Sequence, residues 1–182
     1  MIDFHIITYG SRDDWLSSAT ESVRRGGGNV HLVDGYKDQI GRGRAEGLVT
    51  GVESLVSFVD PDDWVEPDVL SACRLVFEAN PKVGVVCTGE VVVDESGENV
   101  LSGPHIPSRP VNGHHLVVYR RKAIRDDFLG RLSQVNMGEI HFLNSMVIKE
   151  AGWRGVVLPV TGYYWRQHQG QMHRGGGVSH DS

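Results

Sequence analysis

The chain alternates short apolar segments with segments of helical periodicity, and this alternation is what most constrains its fold. Strand-like runs at residues 4–9, 30–33 and 55–59 are each followed by a stretch whose apolar side chains recur at helical spacing. The glycine triplet 26–28 ends the first of these helices, and a fourth strand is expected at 83–87. Apolar strands joined through helices pair in parallel and are covered on both faces. The first half therefore predicts an α/β domain with a mostly parallel central sheet and helices on both faces.

The second half departs from this pattern. Two short segments at residues 90–94 and 98–101, separated by Glu-Ser-Gly, predict a small antiparallel hairpin. A loop rich in proline and glycine follows at 103–113 and is suited to the acceptor side of a site or to a lid. The remaining predicted elements are a strand, a helix and a strand, at residues 115–120, 138–151 and 156–160. His114 and His115, at the entrance of the first of these strands, either line a pocket or are polar residues of an edge strand.

Composition and charge exclude several classes of protein. With 182 residues, 40% hydrophobic and 23% charged, the chain has the make-up of one globular domain. No apolar run approaches the roughly 20 residues that span a bilayer, and no basic segment precedes an apolar one at the start. Cys73 and Cys87 are too few for a disulfide framework, so buried free thiols and a cytoplasmic location are expected. The net charge of −5 gives no overall attraction to nucleic acid.

An acidic run follows the third apolar strand. Asp60, Asp62 and Asp63 place three carboxylates within four residues. Carboxylates at this density repel one another, and a hard cation such as Mg²⁺ or Mn²⁺ relieves the repulsion while also binding phosphate oxygens. The alternative is a polar turn in which Asp62 or Asp63 caps the next helix, since acidic side chains are favoured at a helix N-terminus.

The positions of other polar residues favour the first interpretation. Tyr9, Asp34 and Asp60 all stand where predicted strands end. Ligands of parallel α/β sheets bind at the carboxyl ends of the strands. Asp34 precedes a glycine and is also a good turn former, but its place at a strand end favours contact with a ligand.

The order of these segments resembles that of glycosyltransferases of the GT-A fold, and among them the inverting family 2. Residues 6–9 resemble the first strand and its nucleotide-contacting turn, and residues 33–35 resemble the acidic turn that contacts the base of a nucleotide sugar. Residues 43–47 take the place of an alanine-arginine-asparagine-type segment. Residues 58–63 are similar to the metal-binding aspartate motif of the DXD type.

Two further segments carry the resemblance, one of them with a departure. Residues 163–168 are similar to the tyrosine–arginine–histidine ending of the family, and Gly138-Glu139 resembles the start of the helix that supplies the catalytic base. The family's usual glutamate-aspartate pair is here Glu139-Ile140, so the customary aspartate is absent. Glu139 or His141 is the substitute base that the sequence offers.

The resemblance implies a single GT-A (Rossmann-like) domain over residues 1–169. Residues 1–100 would form a nucleotide-sugar-binding half and residues 101–169 an acceptor and catalytic half, with a flexible tail at 170–182. It implies metal-dependent transfer of a hexose-like sugar from a nucleotide-diphosphate sugar, with inversion and with Mn²⁺ or Mg²⁺ bound. The residues expected to contact the donor are Thr8, Tyr9, Asp34, Arg44, Asp60 and Arg166. Those expected to hold the metal are Asp62, Asp63 and His168.

Two other functions remain open at this point. A strand ending in aspartate-x-aspartate also suits a phosphohydrolase with Asp60 as nucleophile and Asp62 as general acid, although such enzymes place that strand near the start of the chain. The departure at Glu139-Ile140 is compatible with a nucleotide-sugar-binding domain that has lost its base. The acceptor is left open among a glycan, a small molecule, a protein and a modified nucleic-acid base, and so is the oligomeric state.

Overall fold

The computed structural model describes residues 1–100 and 103–169. Its strands are β1 (Ile2–Thr8), β2 (Asn29–Asp34), β3 (Leu55–Val59), β4 (Trp64–Val65), β5 (Val83–Val93), β6 (Val117–Arg120) and β7 (Arg154–Arg166). Its helices are α1 (Asp13–Arg25), α2 (Ile40–Leu48), α3 (Pro67–Ala79), α4 (Asp126–Leu132) and α5 (Glu139–Ser145). The predicted tail at 170–182 lies outside the described residues.

One seven-stranded sheet, in the order β2-β1-β3-β6-β5-β7-β4, runs through the domain. The pairs β1–β2, β1–β3 and β5–β7 are parallel, whereas β3–β6, β5–β6 and β4–β7 are antiparallel. The prediction of a mostly parallel sheet is therefore wrong, and the sheet is mixed. The reason is that β6 comes from the second half of the chain and inserts between β3 and β5, which separates two strands that a simple β-α series would make neighbours.

Helices cover both faces of the sheet, as predicted. One buried cluster joins alternate residues of β1, such as Ile2 and Phe4, to α1 and α3. A second cluster on the opposite face joins Val56 and Phe58 of β3 to α2, α4 and α5. Successive side chains of a strand point to opposite faces, so a strand buried in both clusters is apolar along its whole length. This accounts for the apolar residues of β3, in which the one polar side chain, Ser57, is buried and donates a hydrogen bond of 2.8 Å to the Val117 carbonyl oxygen.

Two strands are longer than their sequence predicts. β5 joins the predicted 83–87 strand to the first strand of the predicted hairpin, with register shifts on either side of Gly89. β7 continues past Pro159 as far as Arg166, and no partner residue in β5 lies opposite the stretch between Val157 and Thr161. Irregular pairing of this kind tolerates glycine and proline inside a strand. The return of the hairpin is described as far as residue 100, with a bridge between Val93 and Asn99.

The predicted 138–151 helix is divided in two. α5 ends at Ser145, and a π-helical turn, Met146–Glu150, continues it. The residue before α5, Gly138, has a φ of +69°, in the left-handed region that favours glycine. Within the described part of the chain, no helix has both the length and the apolar character needed to cross a membrane.

Candidate active site

The carboxyl ends of β1, β2 and β3 meet at one edge of the sheet and bring several predicted site residues together. Thr8 lies opposite Asp34 in the β1–β2 register, and Ile6 lies opposite Val59, the residue before Asp60. The Thr8 hydroxyl donates a hydrogen bond of 3.3 Å to the Val33 carbonyl oxygen. Tyr9, just beyond the end of β1, is 53% exposed. This edge combines accessible polar groups with the start of the acidic run.

Asp63 is held by β7 and is buried. The Tyr163 hydroxyl donates to its Oδ2 at 2.8 Å, and the Arg166 backbone amide donates to its Oδ1 at 2.7 Å. The same Tyr163 hydroxyl accepts a hydrogen bond of 3.0 Å from the Asp60 amide. Burial, with the charges of Asp62 and Asp60, raises the pKa of Asp63 well above its ordinary value. Asp63 therefore fastens the acidic run to β7.

Asp62 and His168 form a carboxylate–imidazole pair. The His168 Nε2 lies 2.8 Å from the Asp62 Oδ2, with about 14% and 20% of the two side chains exposed. Burial raises the pKa of Asp62, and the nearby charge of Asp60 raises it further. The His168 ring packs on Trp15, with ring centroids 4.7 Å apart. Two of the three predicted metal ligands are thus brought together, and the side chains of both are partly exposed.

Arg166 joins the acidic run to the turn after β5. Its Nε donates to the Asp62 carbonyl oxygen at 2.8 Å, and its Nη1 donates to the Glu95 carbonyl oxygen at 2.6 Å. The guanidinium carbon lies 5.0 Å from the ring centroid of Trp15 and 4.9 Å from that of Trp64. Cation–π contacts of this kind stabilise a buried arginine. These contacts fix the shape of the acidic run from the side of β7.

Arg44 links the acidic run to the predicted base. Its Nη2 lies 2.6 Å from the Asp60 Oδ1, and its Nε lies 3.5 Å from the Glu139 Oε1. The Arg44 side chain is only 4% exposed, and its Nη1 lacks a hydrogen-bond partner among the described residues. Burial by itself raises the pKa of Asp60, but the charge of Arg44, together with His115, outweighs burial and leaves that pKa lowered. Arg44 therefore keeps Asp60 ionised.

The two candidate bases have different surroundings. Glu139 is buried at the start of α5 beside the Arg44 cation. His141, two residues further along α5, is exposed, and its Nδ1 lies 3.4 Å from the Val111 carbonyl oxygen. Its ring stacks on that of His114 at a centroid distance of 5.3 Å. Of the two, His141 is the side chain that is accessible to solvent.

A group of polar residues that the sequence did not connect lies beside the acidic run. We call it the Glu90 cluster; it comprises Glu90, His105, His114 and His115. The His115 Nδ1 is in direct contact with the Glu90 Oε2, and His115 stacks on Tyr163 at 4.7 Å between centroids. Burial, then the charge of His115, lowers the pKa of His114 to about 4. The adjacent histidines His114 and His115 are the only part of this cluster that the local sequence indicates, because Glu90 is distant in sequence.

A separate cavity of about 610 Å³ lies between α2 and α4. It is lined by residues such as Arg42, Glu46 and Leu129, and no predicted site residue lines it. The polar edge of the sheet, with its convergent carboxylates and perturbed pKa values, is therefore the better candidate for the functional site.

No protein-family model and no curated protein matches the chain. Solved structures of S. aureus TarS do match. TarS 1–349 in complex with UDP aligns with a TM-score of 0.69 at 14% identity, covering 91% of this chain and 60% of that one. TarS 1–349 in complex with UDP-GlcNAc gives 0.68 at 15% identity, covering 93% and 59%.

This similarity establishes the fold. The chain shares the α/β fold of the TarS structures, and this is the GT-A-like fold that its sequence resemblance implies. The chain spans about three fifths of the length of the TarS 1–349 structures that it matches.

Proposed function

We propose that this chain is a metal-dependent glycosyltransferase that uses a nucleotide-diphosphate sugar as donor. The observation that carries the proposal is the partly exposed Asp62–His168 pair, at the sheet edge where Thr8 and Asp34 also end their strands. The GT-A-like fold adds support, since the matching TarS structures include complexes with UDP and UDP-GlcNAc.

The donor would lie along this edge. Thr8, Tyr9 and Asp34 are accessible to a nucleoside, and Asp60 is kept ionised by Arg44 for contact with the ribose. Uridine is the first base to test, because the TarS complexes contain UDP. Arg166 already binds two backbone carbonyl oxygens, so its part is to shape the site and to add positive charge near the diphosphate.

Asp62 and His168 are the residues that would hold Mn²⁺ or Mg²⁺. A carboxylate oxygen and an imidazole nitrogen 2.8 Å apart fit a divalent cation, and the site has room for phosphate oxygens because both side chains are partly exposed. Such a metal stabilises the negative charge of the departing diphosphate. Asp63, whose two oxygens both accept hydrogen bonds from β7, would position Asp62 and need not ligate directly.

An inverting transfer also needs a base for the acceptor hydroxyl. We assign this role to His141: with its Nδ1–H directed to the Val111 carbonyl oxygen, the Nε2 lone pair can take the hydroxyl proton. Glu139, paired with Arg44, would hold Arg44 in place. The acceptor hydroxyl then attacks the anomeric carbon as the bond to the diphosphate breaks.

Donor turnover tests this proposal. We expect release of sugar from a UDP-sugar in the presence of Mn²⁺, and loss of that activity in Asp62→Asn. Asp68→Asn, which makes the same change at an exposed site on α3, is the matched control and should keep full activity. Release of phosphate from a phosphomonoester, without sugar release, would instead support a phosphohydrolase.

A nucleotide-sugar-binding domain without catalysis is the second candidate. It is favoured by Glu139-Ile140, because the glutamate is occupied by Arg44 and the aspartate of the family is absent. Binding of UDP-sugar with Mn²⁺, without turnover on any acceptor or on water, would identify this case. His141→Ala would then change nothing, whereas in a transferase it lowers kcat more than it changes donor binding.

A further inference from the structure

We propose that Glu90, His114 and His115 form a second metal site, which binds a transition-metal ion of the Zn²⁺ type and is separate from the Mn²⁺ or Mg²⁺ site at Asp62. The ligand atoms of these three residues, one from each, all lie within 4.8 Å of one another. Metal sites of this kind are assembled from side chains that are distant in sequence, and here β5 supplies the glutamate while the segment before β6 supplies the histidines.

The geometry of the donors converges on one carboxylate. The Nδ1 of His115 contacts the Glu90 Oε2 directly, and the Nδ1 of His114 lies 3.9 Å from the same oxygen. The Nδ1 of His105 lies 3.6 Å from the other oxygen, Oε1, so a third nitrogen, and with it a fourth donor atom, is within reach. Two imidazoles and a carboxylate, with a fourth position for water or for His105, are a typical donor set for Zn²⁺.

The chemistry of the donors separates this site from the one at Asp62. The Glu90 cluster offers up to three imidazole nitrogens around one carboxylate, a set that favours Zn²⁺ and related transition metals. The site at Asp62 offers a single imidazole and would be completed by oxygen ligands, which Mg²⁺ and Mn²⁺ prefer. Asp3, which is buried, and Asp60, which is partly exposed, pair with arginines at 2.7 and 2.6 Å respectively. In contrast, the ion pairs of Glu90 within the described part of the chain are all with histidines. An imidazole nitrogen, unlike a guanidinium, can itself bind the cation that Glu90 binds.

The ligands are held in place by their neighbours. The backbones of Glu90 and His105 exchange hydrogen bonds of 3.0 and 2.8 Å. The His115 ring stacks on Tyr163, and Trp165 lies 4.8 Å from His115 between ring centroids. Side chains that are already ordered lose little conformational entropy when they bind a metal, which favours affinity.

Metal content and titration of the 182-residue chain test the site. After stripping with a chelator and adding Zn²⁺, we expect one equivalent to remain bound through gel filtration in the wild type. Glu90→Gln and His114→Ala should each weaken Zn²⁺ binding at least about 10-fold. Removing a residue that only hydrogen-bonds to a metal ligand typically costs about 10- to 100-fold in affinity, so the loss of a direct ligand should cost no less than the lower value. Co²⁺ in place of Zn²⁺ should give the visible absorption of a four- or five-coordinate nitrogen–oxygen site in the wild type, but not in Glu90→Gln or His114→Ala.

Two control variants separate this site from other histidines and from the proposed donor site. His173→Ala/His180→Ala removes two histidines of the C-terminal sequence and should retain the Zn²⁺ equivalent. Asp62→Asn should also retain it, so loss of nucleotide-sugar binding and loss of Zn²⁺ are independent outcomes. His114, with 42% of its side chain exposed, can be replaced with little effect on folding, which unfolding curves for each variant will verify.

The proposal is overturned if the wild type retains no Zn²⁺ and shows no Co²⁺ absorption. It is equally overturned if folded Glu90→Gln and His114→Ala bind Zn²⁺ as tightly as the wild type does. Loss of binding in Asp62→Asn or in the His173→Ala/His180→Ala variant, with retention in Glu90→Gln, would place the metal elsewhere and would also refute it.

Discussion

Replacing Arg44 by methionine should destabilise the protein by about 3 kcal/mol. The change removes the cation that lies 2.6 Å from Asp60 and 3.5 Å from Glu139, and leaves both carboxylates without that charge. Removing one partner of a buried ion pair typically costs about 3–5 kcal/mol, because the other charge stays buried and uncompensated. Asp60 has 31% of its side chain exposed, so water screens part of the loss and the lower end of that range applies.

Equilibrium unfolding in urea at pH 7, with thermal melting, measures this effect. In a chain of this size, 1 kcal/mol corresponds to about 2–4 °C, so Tm should fall by about 6–12 °C. Arg42→Met is the matched control on the same helix. Arg42 is exposed and pairs with Glu46 four residues on; solvent screens a surface pair of this kind, so Arg42→Met should leave Tm nearly unchanged. Adding Glu139→Gln to Arg44→Met should restore part of the stability.

The stability that the Arg44–Asp60 pair contributes should depend on pH, and the direction of that dependence follows from the pKa of Asp60. The folded-state pKa of Asp60 is lowered, so its contribution to stability is present above the ordinary aspartate pKa and is lost as the pH falls through the folded-state pKa. The difference in stability between wild type and Arg44→Met should therefore shrink in acid. A change below about 0.5 kcal/mol at pH 7, as for a surface pair, would refute the conclusion that Arg44 holds the charge of Asp60.

Three further predictions concern the stability or reactivity of buried side chains, namely Asp3, Tyr163 and the two cysteines. Asp3 accepts hydrogen bonds from Asn29 and the Glu53 amide; burial raises its pKa, but these bonds and His31 lower it from 3.8 to about 2. The free energy of unfolding should accordingly fall by about 2 kcal/mol as the pH drops from 4 towards 2. In Asp3→Asn most of this decrease should be absent when unfolding curves are measured over the same pH range. Tyr163→Phe should cost about 1–3 kcal/mol in urea, because the Asp60 amide and the Asp63 carboxylate lose a shared partner; an unchanged midpoint would contradict that link. Burial raises the thiol pKa of Cys73 and of Cys87 to about 12, so neither should react with a thiol reagent at pH 7 until the protein unfolds, and rapid labelling of the native protein would show otherwise.

The first half of the fold could be predicted because its determinants are local. An apolar strand, a turn and an amphipathic helix occupy contiguous residues, and the carboxyl ends of such strands share an edge. The position of β6 could not be predicted in this way, since its pairing with β3 depends on contacts such as Val56 with Tyr119 that are distant in sequence. Gly89, just beyond the predicted 83–87 strand, instead lies within β5 where the pairing is irregular, and β7 runs beyond the predicted 156–160 strand as far as Arg166.

The candidate site, likewise, could be predicted only in part. The acidic run and His168 could be singled out as residue types in a recognisable order. The anchoring of Asp63 by Tyr163 and the Arg166 amide could not, because burial and hydrogen bonding come only with the folded chain. The Glu90 cluster was missed for the same reason. Its members come from different segments, and their sequence spacing matches no metal motif.

Calorimetric titration of UDP into the protein, with and without Mn²⁺, is the most direct test of the central claim. The metal-and-diphosphate site predicts binding that needs Mn²⁺ and that weakens at least about 10-fold in Asp62→Asn, while Asp68→Asn binds as the wild type does. Equal affinity in wild type and Asp62→Asn, or binding that is indifferent to Mn²⁺, would contradict the assignment of the acidic run.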